Sequence, residues 1–144
     1  MRTILLSMIA VSTFLSANFS RNSNGIVEDS KTGLFWQDDY ADNADTIKNT
    51  TWSEAINYCE ASSLGGYDDW RLPNQKELLS IVDYGVFNPA ISSVFQKNAS
   101  DYYWSSTTYA SDTNYALDIY FDDGYTNSDD KSYNSYVRCV RAGQ

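Results

Sequence analysis

The sequence predicts an α+β domain in which two helices pack on a small twisted antiparallel sheet. Two helix starts are marked by capping-box patterns, Thr51 with Glu54 and Asn74 with Glu77. Apolar residues follow each start at helical spacing, whereas residues 102–141 contain runs typical of β-strands separated by polar turns. A chain that places helices before a run of strands favours α+β over alternating α/β architecture.

Residues 1–20 have the composition of a secretory signal. Arg2 supplies positive charge, Ile4 to Leu15 form a short apolar run, and Ala17 is a small residue suited to cleavage. A membrane anchor is the alternative, but the run is short and contains serine and threonine. We therefore expect an exported protein, periplasmic, on the cell surface or secreted, whose residues 21–144 form a single domain without a membrane span.

Charge and composition narrow the possible functions. The formal net charge is −9 and the chain has no histidine. An acidic chain is not expected to bind nucleic acid or anionic membranes, and the commonest general base and metal ligand is missing. We expect a protein that is not an enzyme, with no catalytic residue and no cofactor. Calcium is the alternative considered, but the oxygen-bearing side chains lack the spacing of a known calcium loop: Asp112, Asn114, Asp118, Asp122 and Asp123.

The chain has two cysteines, Cys59 and Cys139. In an exported protein a disulfide is the expected state. A reactive thiol pair is the alternative, although neither cysteine lies in a Cys-x-x-Cys motif.

The first half of the domain contains two short strands and a polar loop. Gly25 to Asp38 alternates apolar and polar residues around a turn at Asp29 to Gly33, so Val27, Leu34 and Trp36 are expected to face the core. Residues 38–50 are rich in Asp, Asn and Thr, which favours a surface loop with solvated carboxylates.

The two predicted helices flank a loop that we interpret as structural. The first helix carries Cys59 on its apolar stripe, and the second runs from Gln75 to about Asp83. Between them, Trp70, Arg71 and Pro73 offer apolar bulk, fixed donors and a rigid turn. A charged ligand cluster of Asp68, Asp69 and Arg71 is the alternative. After the second helix, residues 87–95 are expected to form an irregular apolar cover.

The last third of the chain predicts an antiparallel sheet. The β-type runs are Tyr102 to Thr108, Tyr115 to Phe121 and Tyr136 to Arg141, with a tight hairpin at Asp123-Gly124. In the middle run Leu117, Ile119 and Phe121 share one face, which we expect to be the core side.

Several motifs in this order resemble the DUF1566 family, also called the Lcl C-terminal domain after a collagen-like adhesin. The matching stretches run from Gly25 to Arg141 and include Thr-Gly-Leu-Phe-Trp-Gln, Trp-Ser-Glu-Ala, Trp-Arg-Leu-Pro, Tyr-Trp-Ser-Ser-Thr and Tyr-Val-Arg-Cys-Val-Arg. The resemblance implies a C-type-lectin-like fold related to the formylglycine-generating enzyme, with Cys59 bonded to Cys139. Unlike the adhesin, this chain is acidic and has no Gly-x-y stalk, so it gives no support for polyanion binding.

Tyrosines concentrate in the same last third. Eight of the twelve lie between Tyr102 and Tyr136, interleaved with Ser, Asn, Asp and Thr. This composition is typical of adaptable binding surfaces. A tyrosine-rich β-sheet with polar turns and no ligand, the alternative, has the same composition. We expect a binding or adhesion module that presents this face to an extracellular glycan or protein. The predicted ligand residues are Tyr103, Tyr109, Asp112, Asn114, Asp118, Tyr120, Tyr125, Asn127 and Tyr133. A self-assembling, homo-oligomeric surface subunit and an enzyme are the alternatives.

Overall fold

The computed structural model describes residues 18–143 and has an α+β fold with two α-helices and two β-sheets. The helices are α1 (Trp52–Glu60) and α2 (Gln75–Ser80). The strands are β1 (Phe19–Arg21), β2 (Ile26–Asp29), β3 (Leu34–Gln37), β4 (Asn49–Thr50), β5 (Tyr102–Thr108), β6 (Tyr115–Tyr120), β7 (Tyr125–Asp130), β8 (Ser135–Tyr136) and β9 (Val140–Ala142).

The strands form two sheets rather than the single sheet that the sequence predicted. The smaller sheet has the order β1-β2-β3-β9, and the larger has the order β4-β8-β5-β6-β7. All strand pairs are antiparallel except β5 with β8, which are parallel. The predicted strand from Tyr136 to Arg141 divides between them, since β8 joins the larger sheet and β9 the smaller.

Both faces of the larger sheet contribute to the core. Trp104 of β5 and Ala116 of β6 belong to a buried cluster that contains Cys59 of α1. Tyr103 and Ile119, from the same two strands, belong to a second cluster that contains Leu78 of α2. Successive side chains of a strand point to opposite faces. In a sheet covered on both sides, both sets of side chains are buried, and the sequence does not show which set faces which helix. Ile119 and Phe121 are buried as expected, whereas Leu117 is only half-buried.

The two predicted capping boxes have different outcomes. At α2, Asn74 Oδ1 accepts the Glu77 N–H at 2.8 Å and Glu77 Oε1 accepts the Asn74 N–H at 3.0 Å, so this box is confirmed. At α1, the Thr51 side chain makes no capping bond, and the Glu54 carboxylate instead accepts the Thr50 hydroxyl. Helix α2 also ends at Ser80, earlier than predicted.

The loop between the helices is anchored on all sides. Trp70 is 2% exposed and its indole N–H donates to the Leu64 carbonyl at 3.0 Å. The Arg71 guanidinium holds both oxygens of Glu77 at 2.6 and 2.7 Å, and its backbone exchanges two 2.9 Å hydrogen bonds with Val140. Pro73 is buried and its carbonyl accepts the Ser106 N–H. These contacts favour the structural interpretation of Trp70, Arg71 and Pro73.

The predicted disulfide between Cys59 and Cys139 is confirmed, and it joins α1 to the segment between β8 and β9. The two Cα atoms are 5.4 Å apart and both residues are fully buried. The bond therefore links the helix layer to the chain segment that connects the two sheets.

The sequence predicted that the acidic residues of the loop starting at Asp38 are all solvated. In the structure one of them, Asp38, is not. Asp38 is fully buried and accepts hydrogen bonds from Arg21 at 2.6 Å and Arg138 at 3.1 Å. Its carboxylate also accepts the backbone N–H groups of Gln96 and Lys97. The expectation failed for this residue because its partners are distant in the chain, and the buried one, Arg138, lies 100 residues further along.

The predicted signal segment lies largely outside the described residues, and its cleavage stays a prediction. Phe19 and Ser20, which the predicted signal included, belong to β1 and pair with β2. The Phe19 ring packs edge-on against Phe95 at 5.3 Å, so the folded domain includes Phe19. No helix within residues 18–143 is long and apolar enough to cross a membrane.

Candidate ligand-binding face

Three tyrosines stand side by side on three neighbouring strands. Tyr102 of β5 is the register partner of Tyr120 of β6, which is in turn the partner of Tyr125 of β7. The rings of Tyr102 and Tyr120 stack with centroids 4.5 Å apart, and the hydroxyls of Tyr102 and Tyr125 are 2.6 Å apart. Tyr125 is 44% exposed and the other two are partly exposed. We call Tyr102, Tyr120 and Tyr125 the tyrosine row.

The hairpin between β6 and β7 holds this row in register. Gly124 has φ +90° and its N–H bonds the Tyr120 carbonyl at 2.7 Å, which closes the turn. A Cβ atom at Gly124 would clash with the Val82 side chain. Both the backbone conformation and the close approach require glycine, so the sequence Asp123-Gly124 aligns Tyr120 with Tyr125 as the hairpin motif predicted.

Beside the tyrosine row lies a second row that contains a buried acid. Asp118 of β6 pairs with Trp104 on one side and with Asn127 on the other, and it lies on the same strand face as Tyr120. Its side chain is fully buried, and neither carboxylate oxygen has a hydrogen-bond partner of normal geometry among the described residues, although the Asn127 and Asp129 side chains lie close enough to act on its pKa. Burial and the neighbouring Asp129 carboxylate raise the pKa of Asp118 to about 8. This acid is therefore largely protonated at neutral pH.

The hydroxyls of Tyr102 and Tyr120 remain neutral over the physiological range. The hydrogen bond with Tyr125, together with partial burial, raises the pKa of Tyr102 well above its usual range. Burial and the nearby carboxylates of Asp122 and Asp101 raise the pKa of Tyr120. Neutral hydroxyls can both donate and accept hydrogen bonds, so the row offers flat apolar rings edged by adaptable polar groups.

Two of the predicted ligand residues are not on the surface. Tyr103 is 2% exposed, packs against Phe121, and accepts the Ala99 N–H with its hydroxyl at 3.0 Å. Asp118 is buried, although the sequence placed it outward. Because both faces of β5 are covered near Trp104, alternation could not show which of two consecutive tyrosines points outward. Tyr102, which the sequence analysis did not select, takes the surface position.

The remaining predicted residues lie at two opposite ends of the strands. Tyr120, Tyr125 and Asn127 lie near the β6–β7 turn. At the other end, the predicted residues lie beyond β5 or in the turns that flank β6 and β7, namely Tyr109, Asp112, Asn114 and Tyr133. Tyr115, which begins β6, is five residues from Tyr120, a separation of about 16 Å along a strand. The nine predicted residues therefore do not form one patch.

The same separation affects the oxygen-bearing residues considered for calcium. Asp112 and Asn114 lie at one end of the strands, whereas Asp122 and Asp123 lie in the β6–β7 turn. Within residues 18–143, no group of three or more Asp, Glu, Cys or His side chains is arranged to hold a metal ion. Whether the protein binds calcium in solution stays a prediction, as does the expectation that it is not an enzyme.

The structure thus defines a class of protein, a disulfide-bonded α+β domain with an exposed row of aromatic side chains. The profile of the family described as the Lcl C-terminal domain matches residues 25–141. The chain belongs to this family, as its motifs had indicated. No curated protein matches the chain.

Proposed function

We propose that this protein is an exported binding or adhesion module that uses the tyrosine row and the neighbouring Asn127 to hold an extracellular glycan or protein. The single observation that carries the proposal is the alignment of Tyr102, Tyr120 and Tyr125 on three adjacent strands with their rings partly exposed. Tyrosine supplies a large amphipathic contact area at low entropic cost. A few aromatic residues dominate the binding energy of many interfaces.

The buried carboxyl group beside the row supports the same proposal. A fully buried acid without a donor costs stability, and Asp118 is such an acid. Residues that break local rules of stability are concentrated at functional sites. Asn127, which pairs with Asp118, is partly exposed and offers amide groups at the border of the tyrosine row.

The proposal is tested by screening the mature domain on arrays of glycans and of extracellular proteins, followed by point variants. We expect Tyr120→Ala and Tyr125→Ala to weaken binding of an identified ligand by about tenfold or more, because truncating a hot-spot aromatic costs about 2 kcal/mol or more. Tyr109→Ala and Tyr133→Ala are matched controls, since these tyrosines are 38% and 62% exposed but lie at the other end of the strands. Thermal unfolding checks that each variant is folded.

A ligand that binds all four variants as it binds the parent would show that the tyrosine row is the wrong surface. The loop from Asp38 to Asp45 would then be examined next, because its acids Asp42 and Asp45 are exposed.

Self-assembly is the second candidate, since Tyr125 is an exposed aromatic that another copy could cover. Concentration-dependent sedimentation that Tyr125→Ala abolishes would favour a structural subunit. An enzyme is the third candidate. Both cysteines are joined in a disulfide, so neither is free to act as an active-site thiol. An activity assay of the domain tests this alternative.

A further inference from the structure

The tyrosine row belongs to a larger aromatic end of the molecule. The loop of residues 83–90 packs against the β6–β7 turn through backbone bonds from Asn88 N–H to the Asp122 carbonyl at 2.8 Å and from Ala90 N–H to the Phe121 carbonyl at 2.7 Å. This loop presents Tyr84 and Phe87, which are 71% and 81% exposed. The sequence had placed Phe87 in an apolar cover, but the residue projects into solvent.

Carboxylates surround the same end. Asp101 and Asp123 are exposed, and their side chains accept the N–H groups of Tyr102 and Tyr125 at 2.8 and 3.2 Å. Asp122 lies in the same turn, directly before Asp123. Its charge and that of Asp101 act on the Tyr120 hydroxyl. None of these three acids takes part in the ion pairs found among residues 18–143, which all involve other carboxylates.

A second, independent observation comes from Asp118. This carboxyl group is fully buried on the same strand face as Tyr120, and no described residue donates a hydrogen bond to it. The end of the sheet therefore combines exposed aromatic rings, unpaired surface carboxylates and a buried acid without a donor.

The exposed aromatic rings and the surface carboxylates favour a cationic partner. Lys and Arg side chains bind the faces of aromatic rings within about 6 Å and form charge-assisted hydrogen bonds with carboxylates. A neutral sugar would leave the carboxylates of Asp101, Asp122 and Asp123 without a charged partner, and a polyanion would be repelled by them. Exposed apolar groups such as Phe87 favour a macromolecular partner over a free amine, because they need an apolar surface to cover them.

We propose that the aromatic end of the domain recognises a protein segment that carries lysine or arginine side chains. The inference rests on the proposed binding function and specifies the partner of the same surface. The charges of the partner would meet the surface carboxylates, while its aliphatic and apolar parts would cover Tyr84, Phe87 and Tyr125.

The test measures binding of heptalysine and hepta-arginine peptides by calorimetry, with heptaglutamate and a panel of neutral oligosaccharides in parallel. The charge variant combines Asp101→Asn, Asp122→Asn and Asp123→Asn. Asparagine keeps an oxygen for the Tyr102 and Tyr125 N–H groups. The matched control removes the same number of charges elsewhere through Glu28→Gln, Glu60→Gln and Asp68→Asn, at three exposed positions.

We expect the charge variant to weaken binding of the cationic peptides by about tenfold or more, a loss that corresponds to about 1.4 kcal/mol. The matched control should change the affinity by less than about threefold, since screening limits the effect of distant charges. Tyr125→Ala should also weaken binding of the peptides, and heptaglutamate should not bind.

Other outcomes separate this inference from the proposed function. A neutral oligosaccharide that Tyr125→Ala releases, but that the charge variant binds normally, would overturn the cationic partner and leave the tyrosine row as a binding site. Cationic peptides that bind the charge variant and the matched control equally well would show attraction to net charge alone. The inference is likewise wrong if neither cationic peptide binds the parent protein.

Discussion

The two sheets each bury an aspartate, and the two residues have opposite surroundings. Asp38, which follows β3 of the smaller sheet, accepts four hydrogen bonds, from Arg21, Arg138, and the Gln96 and Lys97 backbone. Asp118 in β6 of the larger sheet is equally buried and accepts none from the described residues. One carboxylate is a fully compensated charge, and the other is an acid kept protonated by its surroundings.

The difference indicates that the surroundings of Asp38 stabilise the fold, whereas the burial of Asp118 lowers its stability. Arg138 is buried against Phe95 and also bonds the Gln37 carbonyl at 2.6 Å, so the Asp38 pair ties several segments together. A buried charge with all of its partners in place is a structural element. Asp118 makes no comparable set of hydrogen bonds, and it lies beside the tyrosine row. A buried acid without partners is easier to explain next to a ligand site than inside a stable core.

The strongest test of this comparison removes the partner of the compensated charge. We expect Arg138→Met to lower the free energy of unfolding by about 3 to 5 kcal/mol, because it removes the fully buried one of the two arginine partners of the Asp38 carboxylate. Chemical denaturation measures the loss. Adding Asp38→Asn to this variant should recover part of the stability. A single variant as stable as the parent would show that Asp38 needs no compensation.

The loop around Trp70 sharpens the comparison from the structural side. We expect Trp70→Ala to cost about 3 kcal/mol or more, because the ring is 2% exposed and its N–H is bonded to Leu64. Ligand binding by the fraction that remains folded should be normal. If the variant keeps its stability but loses binding, the loop belongs to the functional region instead.

The smallest expected effect concerns the pH dependence of stability. The pKa of Asp118 rises from 3.8 in the unfolded chain to about 8 in the folded protein. Its contribution to stability is complete below pH 4 or so and is lost as the pH rises through about 8, because the unfolded chain releases a proton that the folded protein retains. We expect a loss on the order of 2 kcal/mol between about pH 6 and pH 8, measured by denaturant unfolding at each pH.

Asp118→Asn should remove this slope, whereas Asp112→Asn, in an exposed loop, should keep it. Three other acids with shifted pKa values are not expected to contribute to this slope. Hydrogen bonds with Arg141 and Arg71 help to lower the pKa values of Asp69 and Glu77, and hydrogen bonds from Ser132 lower that of Asp130, so these groups are ionised throughout that range. A parent protein whose stability does not change between pH 6 and 8 would mean that Asp118 has an ordinary pKa when folded.

Local chemistry made some parts of the fold predictable. The Asn74 cap, the Asp123-Gly124 turn and the helical stripe of Cys59 each depend on residues close together in the sequence, and the structure contains all three features. The division of the last predicted strand was not visible, because residues 136–141 read as one continuous β-type run. Only contacts with distant segments, such as the pairing of Val140 with Trp36 of β3, place its end in the other sheet.

The candidate site was predictable only in part for a similar reason. Composition pointed to the tyrosines of the last third, but two consecutive tyrosines, Tyr102 and Tyr103, gave no sign of which one faces solvent. The choice depends on which face of β5 each helix covers, and Trp104 and Tyr103 are both buried. Nor does the sequence show that Asp38 is compensated while Asp118 is not, because Arg138 is distant in the chain.

The disulfide has a consequence for a domain that is pulled by its ends. A tension applied between Asn18 and Gly143 would pass from Cys59 directly to Cys139 through the covalent bond. Residues 60–138 form a closed loop outside this path, and that loop contains the whole β6–β7 hairpin with its tyrosines. A mechanical load could therefore strip β1 and β9 from the smaller sheet without stretching the backbone that carries the aromatic end.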